Sequence, residues 1–214
     1  MSITRGVCSA VVGILLIASA VAAAEPEPQW TVLFDGTNLD AWDPDSRSPP
    51  SEWEVKDGVL STRENGDGWL KSRKLFRDFE LRLEFRMSPK ANSGVFLRAD
   101  GFTPHIEGLE VQLLDDQAFP EVPVKTACGA LMLESGPRER ASKKADEWQT
   151  LYIKCHGPKV TVKLNGTLVI EEDLSLNPDR AKAHPGRSSV RGHVGLQNRG
   201  ERGDFRKIEV RELQ

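Results

Sequence analysis

The residues best suited to chemistry lie in the segment GLEVQLLDD, residues 108–116. Its apolar residues alternate with Glu110 and Gln112, which is the two-residue period of a β-strand with one buried face. The period therefore directs a carboxylate and an amide off the same face of the strand. A carboxylate held in this way can act as a general base or a metal ligand, and the amide can hydrogen-bond a hydroxyl group.

Other polar residues come close to this strand in the chain. The segment NSGVFLRAD supplies Asn92 and Arg98, and His105 follows it. If the two strands pair, Arg98, Glu110 and Gln112 share one concave face. The alternative is that Arg98 and Glu110 form a cross-strand ion pair on a solvated face, which contributes little to stability. The pattern alone leaves both interpretations open.

The common catalytic signatures are missing. The chain has no G-x-S-x-G, P-loop or H-E-x-x-H motif, and its four histidines are dispersed. The acidic ladder of a one-strand glycanase is also absent, because the positions after Glu110 on its face are Gln112 and Leu114. A retaining glycosidase needs a second carboxyl group about 5 Å from the first. The sequence offers none on the same strand.

The rest of the chain predicts strands that would position these side chains. In FELRLEFRM the apolar and charged residues alternate, so a strand collects every apolar side chain on one face. The pairs Asn165–Gly166 and Asp57–Gly58 separate alternating runs, which is the pattern of β-hairpins. We see no long helical period. We therefore predict an all-β fold, a jelly-roll sandwich of two antiparallel sheets in a single domain over residues 25–214.

The N-terminus, residues 1–24, differs from the rest. Arg5 precedes an apolar run that ends in small residues, which is typical of a secretory signal peptide. The run is borderline for a retained membrane anchor, which needs about 20 apolar residues. We expect cleavage near Ala24, export to the periplasm or the exterior, and no integral membrane segment after cleavage.

Composition limits the partners. The formal net charge is −3, and no stretch of clustered lysine and arginine favours nucleic acid. Beyond the predicted signal peptide two cysteines remain, Cys128 and Cys155. In an oxidising compartment they could pair, and the alternative is two buried free thiols.

An ordered set of segments resembles the 3-keto-disaccharide hydrolase family: VLFDGTNLDAW, WEVKDGVL, FELRLEFRMSPKANSGVFLR, GLEVQLLDD, EWQTLYIKCHGPKVTVKLNG and GHVGLQNRGERGDFRKIEVREL. The similarity extends from about Trp30 to Leu213. It implies a concanavalin-like jelly roll and an activity on carbohydrate substrates, glycosides oxidised at C3 of the sugar. A ketone at C3 acidifies the C2 proton, so one base can start an elimination that expels the C1 substituent, and water then adds.

The resemblance also implies roles for individual residues. The expected catalytic residues are Glu110, Arg98 and His105, and the expected substrate-binding residues are Gln112, Asn92, Gln197 and Arg199. Glu110 would be the base or a metal ligand, Arg98 would stabilise the enolate, and His105 is the alternative base. A divalent metal ion stays open as a cofactor.

The family commonly has a histidine where this chain has Arg199. Arginine cannot act as a base near neutrality, so the resemblance implies altered or lost activity and we expect Arg199→His to raise it. A non-catalytic carbohydrate-binding module on the same sandwich is the alternative function. Exposed tryptophans would favour that module, whereas core-packed ones would not. The four candidates are Trp42, Trp53, Trp69 and Trp148.

Overall fold

Two antiparallel β-sheets make up most of the computed structural model, which describes residues 29–44, 49–101, 103–176, 178–179, 182 and 184–214. In chain order the strands are β1 (Thr31–Phe34), β2 (Trp42–Pro44), β3 (Trp53–Lys56), β4 (Val59–Thr62), β5 (Gly68–Phe76), β6 (Phe79–Met87), β7 (Asn92–Ala99), β8 (Leu109–Leu114), β9 (Gln149–His156), β10 (Lys159–Leu164), β11 (Thr167–Asp173), β12 (Gly192–Asn198) and β13 (Gly203–Glu212). One short α-helix, α1 (Pro104–Glu107), precedes β8 directly. Short 3₁₀ turns lie at Pro50–Glu52, Val124–Thr126, Leu174–Leu176 and Pro185–Ser188.

The larger sheet has the strand order β11-β10-β9-β6-β13-β4-β3, with β1 also paired to β13. The smaller sheet has the order β2-β5-β12-β7-β8. Neighbours in this order are mostly distant in sequence, as expected of a jelly roll rather than a meander. The predicted all-β sandwich of two antiparallel sheets is confirmed.

The alternating patterns account for the strand directions. In β6 the side chains of Phe79, Leu81 and Phe85 are fully buried, and Arg82 between them is exposed. At the β10–β11 turn Asn165 and Gly166 both have positive φ, 53° and 85°, as a two-residue hairpin requires. The hairpins predicted from sequence are therefore present.

The hydrophobic core lies between the two sheets. Cys128 and Cys155 are both inside it as free thiols. Burial raises the pKa of each thiol to about 12, so both are protonated near neutral pH. Of the two alternatives the sequence left open, the structure has the buried free thiols.

The predicted signal peptide, residues 1–24, lies outside the described residues, and its cleavage stays a prediction. Within the part of the chain that the structure describes, none of the helices has the length and apolar character needed to span a bilayer.

Candidate active site

Glu110 and Gln112 face a small pocket at the β8 edge of the smaller sheet. The pocket has a volume of about 140 Å³. Its lining residues are Asn92, His105, Glu110, Gln112, Met132, Gln197 and Arg199. The structure therefore brings together every predicted site residue except Arg98, and it adds Met132.

Three neighbouring strands, β7, β8 and β12, place four of these seven side chains on one face. β7 pairs with β8 so that Phe96 lies opposite Glu110 and Gly94 lies opposite Gln112. β12 lies on the other side of β7, and Ser93 Oγ donates to the backbone oxygen of Gln197 at 2.7 Å. Because residues opposite each other on paired strands share a face, the side chains that these strands direct to that face meet at one pocket.

Gly94 makes room for the carboxyl group of Glu110. A Cβ atom at position 94 would lie 2.3 Å from Glu110 Oε1 and 2.9 Å from Glu110 Cδ. Such distances are steric clashes, so any larger residue would displace the carboxyl group. Glycine at this point of β7 is thus part of what holds Glu110 in place.

The free edge of β8 is covered by the segment that contains Met132. The Met132 N–H donates to the Glu110 carbonyl at 2.8 Å, and the Gln112 N–H donates to the Ala130 carbonyl at 3.0 Å. These bonds bring the Met132 side chain into the pocket wall. Sequence reasoning missed this residue because its segment lacks a strand period.

Glu110 is a buried carboxyl group with little charge compensation. Glu110 is only 3% exposed. Burial raises the pKa of Glu110 to about 7, and the positive charge of Arg199 opposes that rise. The Gln112 amide lies beside it, within 3.2 Å of Glu110 Oε1. A carboxyl group of this pKa is poised to exchange a proton near neutral pH.

His105 is held in the pocket wall by a buried polar cluster that consists of Glu134, His184 and Arg187. His184 Nδ1 lies 2.8 Å from Glu134 Oε1, and its Nε2 lies 2.7 Å from the His105 carbonyl oxygen. Arg187 donates to the other oxygen of Glu134. The cluster ties the α1 turn to the loop before β12, and sequence reasoning did not find it because its members are far apart in the chain.

The profile of a family described as the 3-keto-alpha-glucoside-1,2-lyase-like domain matches residues 29–211. The chain belongs to this family. The match contains all seven residues of the pocket and both sheets.

Individual proteins resemble this chain in sequence or in fold. A Bacteroides thetaiotaomicron protein named 3-keto-disaccharide hydrolase is 23% identical over 229 residues, which cover 86% of this chain and 78% of that protein. A crystal structure from Parabacteroides distasonis, described as a candidate glycosyl hydrolase, has 28% identity and a TM-score of 0.75, covering 86% of this chain and all of the other. A carbohydrate-binding module of Bacillus subtilis, CBM66, has 14% identity and a TM-score of 0.56, covering 80% and 96%, and shares the fold.

Arg98 does not lie with Glu110, and the predicted shared face is wrong for this residue. Arg98 has a positive φ of 49°, which breaks the alternation at the end of β7. Its guanidinium group is 3% exposed and donates to the Arg77 carbonyl at 2.6 Å, the Gly157 carbonyl at 2.7 Å and Asp78 Oδ1 at 2.9 Å. Arg98 thus links the smaller sheet to turns that adjoin the larger one. It neither forms an exposed ion pair with Glu110 nor lines the Glu110 pocket.

Arg199 is the arginine that lies beside Glu110. It follows β12 on a turn in which Asn198 Oδ1 accepts from the Gly200 N–H at 3.1 Å. The expectation that Arg199→His raises activity stays a prediction. The charge of Arg199, however, is placed where the family's histidine was expected.

The candidate tryptophans are packed rather than presented to solvent. Trp42, Trp53 and Trp69 are 1%, 5% and 1% exposed. Trp148 is half-buried, with the guanidinium carbons of Arg86 and Arg206 at 4.9 and 3.9 Å from its ring centroid. These residues offer no platform for a sugar, and the packing interpretation is confirmed for them.

The metal-ligand role considered for Glu110 lacks further ligands. Among the described residues no three side chains of His, Cys, Asp or Glu are grouped so that they could hold a metal ion.

Proposed function

We propose that this chain cleaves the glycosidic bond of 3-keto-glycosides, with Glu110 as the base that removes the C2 proton. The observation that carries the proposal is a buried carboxyl group with a pKa of about 7 in a pocket with Arg199 and His105. Burial of an uncompensated carboxyl group costs free energy, and such groups are concentrated at functional sites. The description of the family as a 3-keto-alpha-glucoside-1,2-lyase-like domain supports the same chemistry.

The first step forms an enolate. The Glu110 carboxylate takes the proton from C2, and the electron pair of the C–H bond moves toward the C3 carbonyl, so that negative charge develops on the ketone oxygen. Arg199 provides the positive charge in the pocket that stabilises this oxygen, which is the role expected of Arg98 from the family resemblance. Gln112, Asn92 and Gln197 hydrogen-bond the sugar hydroxyls.

The second step expels the leaving group. The enolate electrons form the C1–C2 double bond while the bond from C1 to the glycosidic oxygen breaks. His105 donates a proton to that oxygen, and the second sugar leaves as an alcohol. Water then adds across the double bond: its hydroxyl binds C1, the proton that it loses returns to His105, and Glu110 returns its proton to C2, which gives the free 3-keto sugar.

The test uses the purified chain, a 3-keto-disaccharide and its unoxidised parent. We expect turnover of the keto sugar only, and a slower rate when C2 carries deuterium, because the C2–H bond breaks in the first step. Binding of both sugars without turnover of either would contradict the proposal and leave a carbohydrate-binding module instead.

We also propose that the chain is exported and cleaved near Ala24, on the signal pattern of residues 1–24. Mass spectrometry of the protein from its native compartment should show an N-terminus close to Glu25. A mature pool that retains Met1 would contradict cleavage.

A further inference from the structure

A second pocket adjoins the Glu110 pocket. Its volume is about 320 Å³, and it shares Asn92, Gln112 and Met132 with the first pocket. We call it the outer pocket; its remaining lining residues are Lys90, Leu114, Phe119, Val122, Thr126 and Glu201. The three shared lining residues place the two pockets side by side.

The lining of the outer pocket suits a sugar ring. Phe119 is 40% exposed although it is a large apolar side chain, and Leu114 and Val122 lie in the same lining. An aromatic ring open to a pocket offers a flat apolar surface of the kind that packs on the C–H face of a pyranose. Most ligand pockets combine such apolar surface with a few polar groups that fix orientation.

Glu201 supplies one of these polar groups. Its Oε2 atom is buried and has no hydrogen-bond partner among the described residues. Because buried polar atoms in folded proteins nearly always have a partner, Glu201 would gain a hydrogen bond by turning this oxygen toward a ligand hydroxyl in the pocket. Lys90 and Thr126 lie in the same lining.

The loop that carries Phe119 is built to hold it in this position. The Phe119 N–H donates to the Asp116 carbonyl at 3.2 Å, and the Val122 N–H donates to the Phe119 carbonyl at 3.0 Å. Asp116 is itself fixed, since its side chain accepts from the Cys128 N–H at 2.9 Å and from Ser142 Oγ at 2.8 Å. The exposure of Phe119 therefore belongs to an ordered loop.

We propose that the outer pocket binds the second sugar of a disaccharide, the one that leaves, with Phe119 stacked on its ring. The proposal rests on the function proposed above, which places the oxidised sugar over Glu110. The outer pocket then makes the chain selective for disaccharides over 3-keto-glycosides with a small alkyl leaving group.

The experiment compares Phe119→Ala with wild type on two substrates, a 3-keto-disaccharide and the matching methyl 3-keto-glucoside. We expect kcat/KM for the disaccharide to fall about tenfold, mostly through KM, and the value for the methyl glycoside to stay within about twofold. Leu176→Ala is the matched control, because Leu176 is 74% exposed and lies outside both pockets. It should change neither value.

Two results would overturn the subsite. One is an equal loss on both substrates, and the other is an unchanged preference for the disaccharide in a folded variant. If wild type turns over neither substrate, the proposed function fails, and calorimetric titration with the two sugars still tests the subsite. Tighter binding of the disaccharide that Phe119→Ala abolishes would support it, and equal affinities or no binding would contradict it.

Discussion

Glu80 on the larger sheet and Glu110 on the smaller sheet are both nearly inaccessible to solvent, at 5% and 3% exposure, yet their pKa values move in opposite directions. Burial raises both pKa values. At Glu80 hydrogen bonds from Arg211 and Tyr152, and the charges of Arg211 and Lys154, outweigh burial and lower the pKa. At Glu110 the effect of burial prevails and the pKa rises to about 7, since the charge of Arg199 offsets only part of the effect of burial.

The difference separates a structural carboxylate from one available for chemistry. Tyr152 Oη donates to Glu80 Oε1 at 2.9 Å and Arg211 Nε donates to Glu80 Oε2 at 2.8 Å, so both oxygens are used. Glu110 instead keeps its oxygens at the wall of a pocket with the Gln112 amide beside them. Two differences therefore separate the carboxyl groups: Glu110 lies deeper in the protein, and Glu80 has the partners that stabilise its charge.

The largest expected effect is on turnover. Glu110→Gln should reduce kcat on a 3-keto-glycoside by about 10²–10⁴-fold, the usual loss for a general base, because the amide cannot accept the C2 proton. Glu80→Gln is the matched control: it removes the same charge from another solvent-inaccessible position and should leave kcat of the folded protein within about twofold. Equal losses in the two variants would remove the distinction between these carboxylates.

The same two variants should also differ in stability: relative to wild type, one should be more stable and the other less stable at pH 8. The pKa of Glu110 is about 7 when folded, above its usual 4.5, so the stability that its neutral form provides is lost as pH rises from 4.5 through 7. Glu110→Gln should then be more stable than wild type by about 3 kcal/mol at pH 8 and by less than about 1 kcal/mol at pH 5. Burial of Glu110 thus argues against the alternative of an ion pair on a solvated face, whose removal would leave stability nearly unchanged.

Glu80→Gln should behave in the opposite way. The folded pKa of Glu80 is below 4.5, so its contribution is present above that pH and is lost only as pH falls through the folded pKa. The variant should be less stable than wild type by about 2 kcal/mol at both pH 8 and pH 5, because Arg211 loses a charged partner. Urea denaturation of wild type and both variants at the two pH values measures these differences. Stabilities that shift in the same direction at pH 8 would contradict the comparison.

Sequence alone could predict the sheets but could not distinguish these two glutamates. Both alternate with buried apolar residues, so the two-residue period assigns each to the non-core face of a strand. The partners of Glu80 come from β9 and β13, which are distant in sequence, and no local pattern reveals them. The same limit explains Arg98, since a positive φ at the end of β7 turned its side chain away from the face that the period assigns.

A smaller effect on turnover should follow from the glycine under Glu110. Gly94→Ala places a methyl group 2.3 Å from Glu110 Oε1, so the carboxyl group must move, and we expect kcat to fall about tenfold or more. Gly203→Ala is the control, because a Cβ there meets Met87 and Phe205 at an ordinary 3.4 Å. Circular dichroism should show both variants folded. Full activity in Gly94→Ala would mean that the position of the carboxyl group is not critical.

The smallest effect concerns the charge that opposes burial at Glu110. Because Arg199 lowers the pKa of Glu110, replacing it with methionine should raise that pKa and move the midpoint of the kcat/KM profile upward from about 7, by about one pH unit or less. Arg199→Lys keeps the positive charge and should keep the midpoint, although it loses the planar donor group that stabilises the enolate oxygen. Both variants can therefore be slower than wild type, and only the methionine variant should have a displaced profile.

The pH profile of Glu80 variants should not move, since Glu80 lies outside the pocket and is paired with its own cations. A midpoint that stays at about 7 in Arg199→Met would show that Arg199 does not act on the base, and the positive charge required for the enolate would then have to come from elsewhere in the pocket.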